Sequence, residues 1–195
     1  MKSEEIKSPK RSVKISLISV FAALITVSTI VVIPLPPPLY EITWSPPIYM
    51  AFSVLAGPWP AFIATGIGSF LGETFNILTR PGGSPIYPFG MLWARAPEAL
   101  IVGWARNKSW KMISIAMIIA TVYETIAFLI PDWAFYTYGL FGYGQPTSLA
   151  EGFWSAFPDI FTLVDLAYVP IAIAIIKASA PAFKRLGLSM NLSAR

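Results

Sequence analysis

The sequence predicts an all-α membrane protein, a bundle of six transmembrane helices with both termini in the cytoplasm. Three observations carry this expectation. Charged residues make up 12% of the 195 residues and hydrophobic ones 55%, whereas a soluble domain carries about a quarter charged residues. The chain divides into six apolar runs separated by Pro, Gly or basic breaks. Lys and Arg gather on alternate connections, as the positive-inside rule requires of an even number of spans.

A spanning helix needs about 20 mostly apolar residues. The first run, Val13 to Ile33, ends at Pro34-Leu35-Pro36-Pro37-Pro38, which no helix continues through. Pro34 to Pro47 reads as a loop carrying Tyr40, Glu41 and Trp44. The second run, Ile48 to Ala56, is short for a span and is tilted or starts inside that loop. Gly57-Pro58 marks a turn. The third helix is expected over Trp59 to Leu78, the fourth over Ile86 to Ala105, and the fifth over Trp110 to Ile130. Pro131 to Glu151 reads as an aromatic, Gly-rich loop, and Ala156 to Ile176 as the sixth helix. The whole chain forms one membrane domain, with a basic N-terminus at 1–12, the bundle at 13–180 and a basic tail at 181–195. The first apolar run is longer than a signal core, so it is expected to stay attached.

The basic residues set the orientation. The N-terminal segment holds Lys2, Lys7, Lys10, Arg11 and Lys14. Arg106, Lys108 and Lys111 flank the fourth-to-fifth turn, and Lys177, Lys184, Arg185 and Arg195 close the chain. With six spans all of these fall on one side, the cytoplasmic one, and the opposite loops hold only Arg80. There is no cysteine and no histidine. That excludes disulfides, thiolate nucleophiles, Cys/His zinc sites and histidine acid–base catalysis. No metal site and no nucleic-acid partner is expected.

Charges at membrane depth are costly and mark a functional site by default. Here they are Glu73, Arg95, Glu98, Glu124, Asp159 and Asp165, with Asn76 beside them. At about 1.5 Å rise per residue, all fall in the outer half or near the midplane. Arg95 and Glu98, at i and i+3, could form a self-satisfied pair on one helix face. Asp159 could cap the sixth helix after Pro158. Yet five acids against one arginine leave some carboxylates needing water, a proton or a ligand. Trp133, Tyr136 and Tyr138 read as an interfacial aromatic belt. Trp93 and Tyr123 lie deeper, beside Arg95 and Glu124. A pocket of aromatic faces and carboxylates suits a flat, hydrogen-bond-donating or cationic ligand. On the first helix, Ser12, Ser16, Ser19, Ala23 and Thr26 form a narrow stripe of small residues, a close-packing face. It packs either against another helix of the same chain or against a partner membrane protein.

The chain resembles the substrate-binding S components of energy-coupling factor (ECF) transporters. The likeness rests on four features: the small-residue face with Ser19 and Ala23; the Pro-rich outer loop Pro34 to Pro47; Ala51-Phe52-Ser53-Val54-Leu55-Ala56-Gly57-Pro58 followed by Gly66, Gly68 and Gly72; and the outward polar cluster between cytoplasmic termini. The resemblance implies a non-enzymatic subunit of an ATP-driven importer that captures a vitamin or vitamin precursor. The implied ligand-binding residues are Glu41, Trp44, Trp93, Arg95, Glu98, Tyr123, Glu124 and Asp165, to which the polar residues at membrane depth add Glu73 and Asn76. It also implies that Ser16, Ser19 and Ala23 dock a transmembrane coupling subunit, itself driven by two cytoplasmic ATPases. The partners are thus a vitamin, those subunits and membrane lipid. The chain carries no cofactor and no phosphate-binding Gly-x-x-x-x-Gly-Lys-Ser/Thr loop, so ATP is used by the partners. The acidic, aromatic site leans towards a thiamine- or pyrimidine-like substrate. The competing expectations are a proton-coupled secondary transporter using Glu98, Glu124 or Asp165, an intramembrane enzyme, and a structural membrane subunit.

Overall fold

The computed structural model describes residues 11–34, 41–80 and 84–188. Helices α1 (Arg11–Ile30), α2 (Ser45–Ala56) and α3 (Pro58–Thr79) come first, with strands β1 (Val32–Pro34) and β2 (Glu41–Thr43) between α1 and α2. Then follow α4 (Tyr87–Trp93), α5 (Arg95–Trp104), α6 (Trp110–Tyr138) and α7 (Leu149–Ala156). A 3₁₀ segment, Phe157–Tyr168, leads into α8 (Val169–Arg185). Among the described residues, four helical stretches are long and apolar enough to cross a membrane: α1, α3, α6 and the continuous run Leu149–Arg185. Large apolar side chains such as Val20, Val27, Leu71, Ile119 and Ile126 point outward. Helices suit such a lipid setting because they satisfy their own backbone. The chain is a multi-pass helical membrane protein.

Two departures from the expected all-α fold follow from proline chemistry. The first helix stops at Ile30, three residues early, and Val32, Ile33 and Pro34 pair antiparallel with Thr43, Ile42 and Glu41. Both short strands are mostly β-branched, and Pro34 cannot continue the first helix. The second helix gains three residues at its start. Pro46 and Pro47 fall in its first turn, where the missing N–H is not needed.

Two further boundaries move because orphaned carbonyls find new donors. The fifth expected helix does not stop at Ile130; α6 runs through Pro131 to Tyr138 and ends on Gly139 at φ 62°. Pro131 has no N–H for the carbonyl of Ala127, and the Trp93 indole Nε1 donates to that oxygen at 3.1 Å. The fourth expected helix is two helices that meet at Ala94. Pro97 cannot serve the carbonyl of Trp93, and the Tyr123 hydroxyl donates to it at 2.7 Å. The sixth expected helix begins at α7, seven residues before Ala156, and continues past Ile176 to Arg185.

Helices α1 and α3 pack closely because Gly68 and Gly72 lack side chains. A Cβ on Gly68 would lie 2.6 Å from the Ala22 carbonyl, and one on Gly72 would lie 2.6 Å from Thr29 Cβ. Thr26 seals the contact by donating to the Gly68 carbonyl at 3.1 Å. At one end of the bundle Phe21 stacks on Phe52, and Phe183 meets both at steep angles, joining α1, α2 and α8. Arg106 donates there to the Ala56 carbonyl at the end of α2. The helix ends gathered on this side carry Lys14, Lys108, Lys111, Lys184 and Arg185. The opposite end holds the hairpin, α7 and a cavity.

Candidate substrate-binding site

The 3₁₀ segment builds one wall of the cavity. At three residues per turn, side chains three apart eclipse one another. Asp159, Thr162 and Asp165 therefore form one row, and Pro158, Phe161 and Val164 the row beside it; both rows line the cavity. Runs of 3₁₀ helix longer than three or four residues are uncommon, and this one spans 12. Thr162 anchors it, donating to the Asp159 carbonyl at 2.8 Å and meeting the Thr125 hydroxyl of α6 at 2.6 Å.

The remaining walls come from Ile42 and Thr43 of β2, Glu73 of α3, Tyr87 and Met91 of α4, and Arg95 of α5. The cavity measures about 160 Å³. Its β2 rim is held from both sides. Tyr168, at the end of the 3₁₀ segment, donates to the Thr43 carbonyl at 2.8 Å, and the Trp44 N–H donates to the Ser28 carbonyl at 3.3 Å. Tyr87 stacks on Phe128 with ring centroids 5.5 Å apart, which fixes the face it turns to the cavity.

Behind the wall lies a buried polar network. The Arg95 Nε donates to Glu124 Oε1 at 2.9 Å, with the two side chains 11% and 0% exposed. Its Nη1 reaches Ser45 Oγ at 3.1 Å. Arg95 thus pairs across helices with Glu124, not along its own helix with Glu98. Glu98 accepts instead from the Tyr49 hydroxyl at 2.6 Å. Glu98 Oε1 and Glu124 Oε2 are buried with no hydrogen-bond donor. A second acidic pair sits nearer the mouth, where the Asp132 and Asp159 carboxyls lie within reach of each other. Neither brings a hydrogen to the contact when ionised, and Asp159 Oδ2 has no donor. Tyr143, in the loop after α6, donates to Asp132 Oδ1 at 2.9 Å. Burial, with Asp132 beside it, pushes the Tyr143 phenol well above its ordinary range, so it remains a donor.

The residues expected at the site divide into three groups. Glu73, Arg95 and Asp165 line the cavity. Glu98 and Glu124 stand behind it as partners of Tyr49 and Arg95. The others serve the scaffold: Asn76 donates to the Thr29 carbonyl at 3.1 Å and ties α3 to α1, while Trp93 and Tyr123 serve the two proline-orphaned carbonyls. Trp44 is exposed and packs against Tyr168 with its ring tilted, centroids 5.9 Å apart. The Glu41 side chain lies outside the described residues. Sequence reasoning missed Tyr87, Met91 and Thr162; it set Asp159 among the charges at membrane depth but left it open as a helix cap, and the cap position belongs to Ala156. The three-residue spacing of polar residues from Asp159 to Asp165 was the available signal.

On α1 the buried face is Ala22, Ile25, Ser28 and Thr29. Ser12, Ser16, Ser19 and Ala23 are exposed, so the stripe is not what packs against α3; only Thr26 turns inward.

No family profile matches the sequence, and no curated protein matches it. Among solved structures, the chain is similar to the S component of a bacterial ECF transporter, at 22% sequence identity and a TM-score of 0.66. The match covers 90% of this chain and 100% of that one. What the two share is the fold.

Proposed function

We propose that this chain is the substrate-binding subunit of an ATP-driven ECF-type importer, capturing a vitamin or vitamin precursor from outside the cell. The observation that carries the reading is a charged, partly enclosed cavity at one end of a bundle that shares its fold with an ECF S component. In this reading six helical segments cross the membrane. The basic ends, with both termini, face the cytoplasm, and the cavity opens outward. Glu73, Arg95 and Asp165 contact the ligand, with Glu98 and Glu124 holding Arg95 and Tyr49 in place. The exposed Ser16, Ser19 and Ala23 dock a transmembrane coupling subunit, since small residues let helices approach closely. Two cytoplasmic ATPases supply the energy, and no enzymatic step falls to this chain.

The test is co-expression with an ECF coupling subunit and its two ATPases, followed by co-purification and vitamin uptake in proteoliposomes. The expected result is a stable complex with ATP-dependent uptake, lost on Ser19→Trp although that variant still binds ligand. Proton-driven uptake by the chain alone would overturn the reading in favour of a secondary transporter. The donor-less oxygens of Glu98 and Glu124 are the feature that would serve it.

A further inference from the structure

We infer that the cavity takes a ring with an amide edge, its carbonyl oxygen against the Arg95 guanidinium and its N–H against the Asp165 carboxyl. This deepens the proposed capture role and rests on it for biological meaning, but it stands on which hydrogen-bonding groups of the wall are filled and which are not.

Most polar groups of the wall are engaged by the protein itself. The Thr43 hydroxyl meets Ser45 Oγ at 3.0 Å, and its carbonyl accepts from Tyr168. Thr162 is held by the Asp159 carbonyl and Thr125. Glu73 accepts from Asn76 at 3.3 Å. The Asp159 carboxyl lies against that of Asp132, and its donor-less Oδ2 is buried out of the cavity's reach. Three groups stand apart. Arg95 donates through Nε to Glu124 and through Nη1 to Ser45, but among the described residues its Nη2 has no acceptor. Asp165 is 7% exposed, and among the described residues its carboxyl makes no hydrogen bond and no ion pair. Arg95 and Asp165 both line the cavity and attract each other without touching. The Tyr87 hydroxyl, likewise unbonded among the described residues, donates or accepts equally well and does not discriminate.

An unfilled donor and an unfilled acceptor on one cavity define the complement. A cation brings no acceptor for Arg95, and a simple anion brings no donor for Asp165. A cyclic amide presents a carbonyl oxygen and an N–H side by side on one edge, and fills both. The fit holds in either protonation state of Asp165. Ionised, the carboxylate accepts the N–H; neutral, it still accepts through its carbonyl oxygen, and its O–H donates to the ring carbonyl. A zwitterion also offers both groups, but it loses the hydration of two full charges, where the amide loses that of none. The rest of the wall suits a ring: Met91, Pro158, Phe161 and Val164 offer it no polar side-chain group beyond a thioether. At about 160 Å³ the cavity has room for one ring, since about 150 Å³ holds benzene.

The experiment is a ligand-observed NMR titration of the full chain in detergent. The probes are 2-pyridone, its N-methyl derivative (which keeps the carbonyl and lacks the N–H), benzylammonium, benzoate and the zwitterion L-proline. 2-Pyridone should bind at least about fivefold tighter than each of the others, the worth of one hydrogen bond. Asp165→Leu should cut its lead over the N-methyl compound to under about twofold. Asp165→Asn keeps an acceptor oxygen and should preserve that lead, so it carries the test if the Leu variant does not fold. Arg95→Met with Glu124→Leu removes the guanidinium without stranding its partner, and should weaken both pyridones alike by at least about fivefold. A smaller lead over the N-methyl compound, or its loss in Asp165→Asn, overturns the N–H assignment. Unchanged pyridone binding in the double variant overturns the carbonyl assignment. Tighter binding of either ion or of L-proline overturns the amide itself, and failure of every probe overturns the inference as a whole. The importer reading falls separately, only if the chain does not assemble with the coupling module.

Discussion

Tyr123→Phe isolates the interaction that lets the fourth segment break at Ala94. The substitution removes one oxygen and leaves the ring in place. In the parent protein that hydroxyl donates to the Trp93 carbonyl at 2.7 Å, which Pro97 cannot serve. In water a lost donor would be replaced by solvent, but at membrane depth no solvent stands by. Interhelical hydrogen bonds in membrane proteins average about 0.6 kcal/mol and reach about 1.7, while a stranded buried carbonyl costs about 1–3 kcal/mol. The expected loss is therefore about 1 kcal/mol, roughly a fivefold fall in the folded-to-unfolded ratio. The assay is reversible unfolding by SDS titration in mixed micelles, followed by circular dichroism. Pro97→Ala supplies the control, because residue 97 then offers its own N–H to Trp93. In that background Tyr123→Phe should cost close to nothing. An equal cost in both backgrounds, or no cost in either, would refute the claim that Tyr123 stands in for the proline's missing donor.

Two further outcomes are expected. Glu124→Ala strands the buried Arg95 guanidinium and should destabilise the protein by about 3–5 kcal/mol, whereas Arg95→Met with Glu124→Leu should lie nearer the parent, both read by the same SDS titration. Gly72→Val drives a side chain into Thr29 Cβ and the Thr26 carbonyl and should cost at least about 1–3 kcal/mol by overpacking; Gly66→Ala, facing only Ala96 Cβ at 3.3 Å and Leu92 Cδ2 at 3.6 Å, should cost clearly less in a thermal-shift comparison.

What the sequence made legible was the part governed by solvent. Apolar runs placed α1, α2, α3 and the start of α6 to within three residues, because a long run of uncharged side chains has few alternatives. Charges in the wrong solvent pointed to Glu73, Arg95 and Asp165 on the cavity wall. The boundaries at Ile130 and at Ala94 were not legible. A proline ends a helix unless a distant donor takes its carbonyl, and neither Trp93 nor Tyr123 is near its acceptor's helix in the chain. Their rings looked like ligand contacts because sequence reports depth but not direction. Asp132 was hidden for the same reason: once Pro131 was read as a stop, the residue after it became loop. The hairpin escaped because three-residue strands carry too little period to stand out beside a proline run. The stripe on α1 was visible as a pattern, but only the packing of Ala22, Ile25 and Thr29 tells which side of the helix it occupies.

The 3₁₀ wall behaves like a reading frame. Between Phe157 and Tyr168 the chain repeats every three residues: Pro158, Phe161 and Val164 in one row, Asp159, Thr162 and Asp165 in the next, and Ile160, Leu163 and Leu166 in the third. The first two rows meet the cavity and the third does not. Losing one residue ahead of the rows puts Ile160, Leu163 and Leu166 where the carboxylates were, and gaining one puts Pro158, Phe161 and Val164 there. Adding three keeps the frame and lengthens the wall by about 6 Å, at about 2 Å per residue. An α-helix offers no such register, since three of its residues fall about 60° short of a full turn. A chain built this way can change the depth of its pocket in whole triplets without changing its chemistry.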